Sequence, residues 1–155
     1  MEPSVVQRVQ KLLEAKSVAF KVIEHEPTFT SEQAAAVRGT PLKSGAKALV
    51  CKTNSDFQML VMPASLKLFT RGVRKELGIQ RLRFASKEEL FELTGLAPGC
   101  VPPFGSLFNL PTWCDYRLAE QLRINFNAGD HTISIGIAFD DYNRVESPKL
   151  GNIAK

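Results

Sequence analysis

The chain has few of the residues that build metal sites. Its 155 residues include three cysteines and two histidines. Cys51, Cys100 and Cys114 form no C-x-x-C pair, and with His25 and His131 they make no closed set of zinc ligands. We therefore expect no metal site and three free thiols, as in a protein of the reducing cytoplasm.

Long hydrophobic runs are also missing. The first 16 residues mix charged and apolar side chains, and no later stretch approaches the ~20 apolar residues that a membrane span needs. This pattern predicts neither a secretion signal nor a membrane partner. There is no internal repeat, linker or low-complexity tract, and 44% of the residues are hydrophobic. We expect residues 1–155 to form a single domain with its own core.

Charge of either sign is not in large excess. Twenty Lys and Arg against sixteen Asp and Glu give a net charge of +4, which suits a polyanionic partner without requiring one. Four cations fall along one predicted helix and could follow the phosphates of a nucleic acid, namely Lys67, Arg71, Arg74 and Lys75. The alternative is an ordinary solvated helix face.

Helix signals recur along the chain. Ser4 can cap a helix whose apolar residues recur at helical spacing, and residues 30–33 and 86–89 are typical capping boxes. The helices that follow these boxes should end near Gly39 and Gly95, and a further helix over 65–77 should end at Gly78. A helical turn is expected near 140–144.

Strand signals lie between these helices. Strands are predicted over 18–23, 46–52, 57–62, 81–84, 122–127 and 132–137. The turn-forming residues 53–56 join two of these strands into a hairpin, which we expect at the centre of the sheet. The alternation predicts an α+β fold with a mixed sheet flanked by helices.

Lys47 stands in an otherwise apolar strand. Period-two geometry places it on one face with Leu49 and Cys51. A lysine there could bind a phosphate or stabilise negative charge beside a carbonyl, or it could extend from the strand end into water. Cys51 has no histidine nearby in sequence, so we interpret it as a small buried hydrophobe and not as a nucleophile.

Three loops could also contribute to a site. Residues 95–105 are dominated by Gly and Pro, and such a loop either presents fixed backbone groups to a small amino group or is a rigid connector. Residues 126–130 could form a pocket wall or a plain hairpin turn. His25 could line a cleft and act as a base, or could simply be solvated.

Four motifs in a fixed order carry a resemblance to a known family. They are residues 37–40 (Val-Arg-Gly-Thr), 45–52 (Gly-Ala-Lys-Ala-Leu-Val-Cys-Lys), 99–104 (Gly-Cys-Val-Pro-Pro-Phe) and 126–129 (Phe-Asn-Ala-Gly). Together they resemble the YbaK-type family of prolyl-tRNA-synthetase-associated editing domains, and within it the free-standing YeaK-type branch. The similarity extends from the first helix to about Pro148, and the strand that carries the lysine is its sharpest part.

The resemblance implies a fold, an activity and partners. The fold is a highly curved mixed sheet or partial barrel with surrounding helices, and the family uses neither a metal nor an organic cofactor. The implied activity is trans-editing, the hydrolysis of a small amino acid such as serine, threonine or alanine from mischarged tRNA. The partner is the acceptor end of tRNA, with a synthetase as a further candidate partner, and not DNA.

The resemblance also implies site residues. Lys47 matches the functional lysine, and His25 falls near a position at the cleft. Substrate contacts are expected from the G-x-x-x-P loop and from the fourth motif, namely Gly99, Cys100, Val101, Pro102, Pro103, Asn127 and Gly129. Two alternatives stay open, a Cys-tRNA or Ala-tRNA deacylase of the same fold and a non-catalytic module that binds tRNA or a synthetase. Residues 106–110 and 113–115 follow the proline loop without a recognisable motif.

Overall fold

The computed structural model describes residues 2–155 and contains five α-helices and eight strands. The helices are α1 (Val5–Ala15), α2 (Ser31–Arg38), α3 (Thr70–Leu77), α4 (Lys87–Thr94) and α5 (Phe139–Glu146). The strands are β1 (Lys21–Glu24), β2 (Ala46–Thr53), β3 (Asp56–Pro63), β4 (Leu82–Phe84), β5 (Thr112–Asp115), β6 (Arg123–Asp130), β7 (Ile133–Ala138) and β8 (Lys149–Gly151). Across the described residues, no helix combines the length and apolar character that a membrane crossing requires.

The predicted helix starts are confirmed where a side chain caps the helix. Ser4 caps α1 and Ser86 caps α4, and each forms a full capping box with the residue three positions on. Thr30 accepts a hydrogen bond from the Gln33 amide at the start of α2, and Gly39 ends that helix in the left-handed conformation. Local hydrogen bonds of this kind are readable from sequence because both partners lie within one turn.

The predicted hairpin is confirmed as the centre of the larger sheet. The β2 and β3 strands pair antiparallel from Ala46 opposite Pro63 to Thr53 opposite Asp56. The sheet order is β4-β2-β3-β5-β8, in which β5 and β8 run parallel to their neighbours. This pairing fixes the start of β2, where Lys47 lies.

A smaller antiparallel sheet has the order β1-β7-β6. A parallel bridge between Gly45 and Asn125 connects the residue before β2 to the third residue of β6. The predicted fold class, mixed β structure surrounded by helices, is confirmed, and the β structure is divided into two open sheets.

Two hydrophobic clusters lie on the two faces of β2. Val50 belongs to the larger cluster, together with buried residues of α1, β6 and β7 such as Leu13, Phe126 and Ile135. Cys51 belongs to the smaller cluster, which also contains Ile153 near the end of the chain. The alternation follows from the period of two along a strand.

Two predicted boundaries differ from the structure, and two short strands were not predicted. The helix expected from residue 65 begins at Thr70, because Lys67 and Lys155 exchange backbone hydrogen bonds of 2.9 Å and so hold the preceding segment extended. The strand expected from residue 18 begins at Lys21. The strands β5 and β8 were not predicted, since each is short and pairs with segments distant in sequence.

Candidate active site

A small cavity of about 170 Å³ lies beside the entrance of β2. Its walls come from β2, from α2 and the loop before it, from the Gly99 loop and from β6. Four of the residues predicted for the site line it, namely Lys47, Gly99, Val101 and Asn127. The lysine-bearing strand and the proline-stiffened loop therefore border one cavity.

Lys47 is half-buried at the second position of β2, opposite Met62 of β3. Desolvation lowers the pKa of its ammonium group, the carboxylate of Glu32 raises it, and the positive charge of Lys67 lowers it. Burial disfavours the charged form of a lysine. The ammonium group is therefore less stable in its charged form than that of an exposed lysine, and an anionic partner would stabilise it.

The loop around Gly99 is held by hydrogen bonds to β6. Gly99 has a φ of +89°, a conformation that glycine adopts without steric cost, and a Cβ at this position would lie 3.3 Å from Cε1 of His131. The Gly99 carbonyl accepts a 2.7 Å hydrogen bond from Nδ2 of Asn127, and the Gly129 amide donates to the Cys100 carbonyl at 2.9 Å. The loop backbone is thus fixed against the cavity.

Arg38 lines the same cavity from the last position of α2. Its Nε donates to Oγ of Ser134 at 2.8 Å, and its Nη2 donates to Oδ1 of Asn127 at 3.0 Å. Desolvation lowers the pKa of the guanidinium to about 10. Within residues 2–155, Arg38 makes no salt bridge with any carboxylate. Because the acceptors of Arg38 are neutral and Lys47 lines the same cavity, this wall of the site is electropositive.

His25 lies behind this network and does not line the cavity. Its Nδ1 is 2.8 Å from the Glu26 carbonyl, and its Nε2 is 2.8 Å from Oγ of Ser134. A carbonyl only accepts, so Nδ1 of His25 carries a hydrogen and donates it to the Glu26 carbonyl. His25 therefore reaches the site through Ser134.

An aromatic pair that the sequence did not reveal forms another wall. Phe29 and His131 both line the cavity, with ring centroids 4.8 Å apart. Phe29 is 74% exposed, whereas Nδ1 of His131 is buried and makes no hydrogen bond to the described residues. The only sequence signal was the position of His131 two residues after the fourth motif.

The other predicted substrate-binding residues lie around the cavity without lining it. Cys100, Pro102 and Pro103 are buried, and the Pro103 carbonyl accepts a 2.8 Å hydrogen bond from the Tyr142 hydroxyl. A Cβ on Gly129 would lie 2.8 Å from Cγ1 of Val5, so this residue packs against α1. These residues support the loop and the strand from behind.

The interpretation of Cys51 as a buried hydrophobe is confirmed. Its side chain is fully buried in the smaller core cluster, and burial raises the pKa of the thiol to about 12. Thiolate is the nucleophilic form of cysteine, and it is scarce at neutral pH with such a pKa. Among residues 2–155, no group of three or more Cys, His, Asp and Glu side chains is placed to hold a metal ion.

The four predicted tRNA-binding cations are exposed but do not share one helix. Arg71, Arg74 and Lys75 lie on α3, and Arg74 also donates from Nε to the Gln80 carbonyl at 3.1 Å. Lys67 lies before the helix and is close enough to Lys47 to lower the pKa of its ammonium. Lys67 therefore acts on Lys47 through its charge without lining the cavity, and the other three cations form a separate basic helix face.

Comparison with known proteins relates this geometry to an activity. Residues 25–145 match the family model of the aminoacyl-tRNA editing domain. The chain is 33% identical over 154 residues to the multifunctional Ser/Thr-tRNA deacylase ProXp-y of Escherichia coli strain K12, covering 96% of this chain and 92% of that protein. It is 30% identical over 110 residues to the proline–tRNA ligase of Shouchella clausii, covering 69% of this chain and 19% of the ligase.

The fold is also found in solved structures. A crystal structure described as that of a proposed trans-editing enzyme for prolyl-tRNA synthetase superposes with a TM-score of 0.88. The superposition covers 100% of this chain and 99% of that one at 24% sequence identity. At this identity the likeness concerns the arrangement of helices and strands.

Proposed function

The chain belongs to the family of aminoacyl-tRNA editing domains and is an aminoacyl-tRNA deacylase, and from this premise we propose that it removes serine, threonine or alanine from non-cognate tRNA. The observation that carries the proposal is the position of Lys47 and the Gly99 loop on the walls of one small cavity. The relative from E. coli, named as a Ser/Thr-tRNA deacylase, supports the choice of amino acid.

The size of the cavity fits the acyl part of the substrate. A cavity of about 170 Å³ has room for a small aminoacyl group together with an attacking water. In this proposal the ester is directed into the cavity, and the terminal adenosine lies at its mouth.

The chemistry needs no protein nucleophile. An aminoacyl ester is already activated, so hydrolysis requires a positioned water and stabilisation of the oxyanion that forms when water adds to the carbonyl carbon. In this proposal the backbone of Gly99 and Val101, the two loop residues that line the cavity, holds the α-amino group, and Lys47 anchors the terminal nucleotide and polarises the ester. The vicinal ribose hydroxyl helps to direct the water, so the RNA contributes to catalysis.

Surface residues supply the contacts to RNA. The exposed ring of Phe29, supported by His131, offers a stacking surface for the terminal base at the cavity mouth. In this proposal the exposed Lys67, whose charge acts on Lys47, pairs with the terminal phosphate, and Arg71, Arg74 and Lys75 follow the phosphates of the acceptor stem. These contacts are independent of sequence, so tRNA identity would be read elsewhere.

Residues on both sides of the matched segment contribute to the same cores. Val9 and Leu13 of α1 pack in the larger cluster, and Ile153 and Ala154 pack in the smaller one. We infer that residues 1–155 act as one editing domain. The proposed substrate places the protein in the cytoplasm. The similarity to part of a proline–tRNA ligase supports a synthetase as a transient partner.

The experiment that tests the proposal is deacylation of a panel of mischarged tRNAs by the purified protein. Faster hydrolysis of Ser-, Thr- or Ala-esters of mischarged tRNAs than of the correctly charged forms of the same tRNAs is expected. One methylene in a pocket discriminates only ~10–200-fold, so neighbouring amino acids should be partly accepted. A preference for the Cys-ester would select the Cys-tRNA alternative. Binding of tRNA without hydrolysis would show a non-catalytic module and overturn the proposal.

A further inference from the structure

Arg38 has one guanidinium nitrogen that no protein group binds. Its Nε and Nη2 are bound by Ser134 and Asn127, whereas Nη1 makes no hydrogen bond within residues 2–155. Nη1 lies against the cavity wall at Gly45, where it would be 3.5 Å from a Cβ built on that glycine. The donors of Nη1 are therefore available to a ligand in the cavity.

The guanidinium is also fixed in orientation. Ser134 lies on β7 and Asn127 on β6, so two strands of the smaller sheet hold two of its three nitrogens. The planar fork of an arginine then leaves its third nitrogen with a single direction. Preorganised donors stabilise a developing charge without reorganisation at the moment of reaction.

Electrostatics favour an anionic or strongly polar ligand. The acceptors of Arg38 are a hydroxyl and an amide, and in residues 2–155 no carboxylate pairs with it. A half-buried charge without a counter-charge is unfavourable for folding. This unpaired charge lies at a cavity wall that a second cation, Lys47, also lines.

One group of the aminoacyl ester can be the anionic partner of Arg38. The α-amino group of the ester is cationic and is repelled by the guanidinium. The carbonyl oxygen is neutral in the substrate and becomes negative when water adds to the carbonyl carbon. It is therefore the atom that gains most from a fixed cation.

We propose that Arg38 is a second catalytic residue, which stabilises the oxyanion through Nη1 while Ser134 and Asn127 hold it in position. This inference rests on the proposed deacylase function. Water adds to the carbonyl carbon and loses a proton, and the carbonyl π electrons move to the oxygen facing Nη1. The intermediate collapses, the ester C–O bond breaks, and the ribose oxygen leaves with the electron pair and takes up a proton. The products are a free amino acid and uncharged tRNA.

The test compares Arg38→Gln with wild-type protein in single-turnover hydrolysis of a mischarged tRNA that the wild type deacylates. Loss of one oxyanion donor should slow the reaction by ~10²–10³-fold. Binding of a non-hydrolysable analogue, in which an amide replaces the ester, should weaken by less than about tenfold, because the interaction strengthens only in the transition state. Arg38→Lys should recover part of the rate, and millimolar guanidinium should partly restore Arg38→Ala.

Ser134→Ala provides a second variant that keeps the charge and removes one positioning contact. It should slow hydrolysis less than Arg38→Gln and leave analogue binding unchanged, and it serves as the test if Arg38→Gln does not fold. An active wild type with an equally active Arg38→Gln would overturn the role of Arg38 and leave the deacylase function intact. Equal loss of rate and analogue binding, without guanidinium rescue, would show a purely structural role. A wild type inactive on every mischarged tRNA would instead refute the proposed function.

Discussion

Two arginine-centred clusters of this molecule differ in how completely their charges are satisfied. Asp115 is fully buried, and its carboxylate accepts hydrogen bonds from the backbone amides of Ile153 and Ala154 at 3.0 and 2.9 Å. Arg117 donates to both of its oxygens, at 2.9 and 3.1 Å, and also contacts the Ala154 carbonyl. In this cluster the charges of Asp115 and Arg117 neutralise each other, and the hydrogen bonds join residues 153–154 to the end of β5.

Arg38 has the opposite environment. Its hydrogen-bond acceptors are neutral, no carboxylate pairs with it within residues 2–155, and it lies beside an open cavity that Lys47 also lines. A charge with a buried counter-charge holds the fold together, whereas a half-buried charge without one, at a cavity wall, is a candidate functional group.

The largest effect is expected at the buried pair of Asp115 and Arg117. Asp115→Ala removes the acceptor of two buried amides and the partner of Arg117, and breaking a buried pair costs about 3–5 kcal/mol. Urea denaturation should show that loss in the free energy of unfolding, while the deacylation rate per folded molecule stays unchanged.

The exposed pair of Asp141 and Arg144 is the matched control. Its N–O distance is 3.2 Å and its side chains are 32% and 53% exposed, so Asp141→Ala should cost less than about 1 kcal/mol. Equal losses for Asp115→Ala and Asp141→Ala would show that burial does not distinguish the clusters.

The next effect is expected at the cavity mouth. Phe29→Ala removes the proposed stacking surface, and base stacking is worth about 1–3 kcal/mol per base by alanine substitution. KM for mischarged tRNA should rise accordingly with little change in kcat. Phe91→Ala on α4, where the ring is 65% exposed and outside the cavity, should change neither constant. A fall in kcat alone for Phe29→Ala would argue against stacking.

A smaller effect is expected on the basic face of α3. Each phosphate contact changes the slope of log affinity against log salt by about 0.7–0.9. Arg71→Ala and Lys75→Ala should each reduce the slope of tRNA binding by that amount, whereas Lys11→Ala on α1 should not. An unchanged slope in both α3 variants would show that this face is an ordinary solvated surface that does not bind phosphates.

The smallest change concerns the pH profile. A lysine loses its charge as pH rises through its pKa, and desolvation lowers the pKa of Lys47. The enzymatic rate, corrected for spontaneous ester hydrolysis, should therefore fall at a lower pH than the titration of an ordinary lysine. Glu32 raises the pKa of Lys47, so Glu32→Gln should move this fall to still lower pH. A shift to higher pH would contradict the role of a charged Lys47.

The sequence predicted well where the signals were local. Ser4, Thr30 and Ser86 marked three helix starts, and the hairpin of β2 and β3 followed from its turn residues. Lys47 was noticeable because a charge in an apolar strand is rare, and the family resemblance gave it a role. The role itself stays a prediction.

The sequence predicted less where partners are distant along the chain. Arg38 meets Asn127 and Ser134, which lie 89 and 96 residues further on, and no local pattern announces such contacts. The parallel strand β8 and the pair of Phe29 and His131 were also not predicted, because their partners are distant in sequence. His25 was predicted at the cleft, and only the structure revealed that it reaches the site through Ser134.

The most direct measurement is single-turnover deacylation of the preferred mischarged tRNA by Lys47→Ala, with Lys52→Ala as the control. Both lysines lie on β2, but only Lys47 lines the cavity. We expect Lys47→Ala to react ~10²–10³-fold more slowly than the wild type with an unchanged free energy of unfolding. Lys52→Ala should react at the wild-type rate. A folded Lys47→Ala protein that deacylates at the wild-type rate would contradict it.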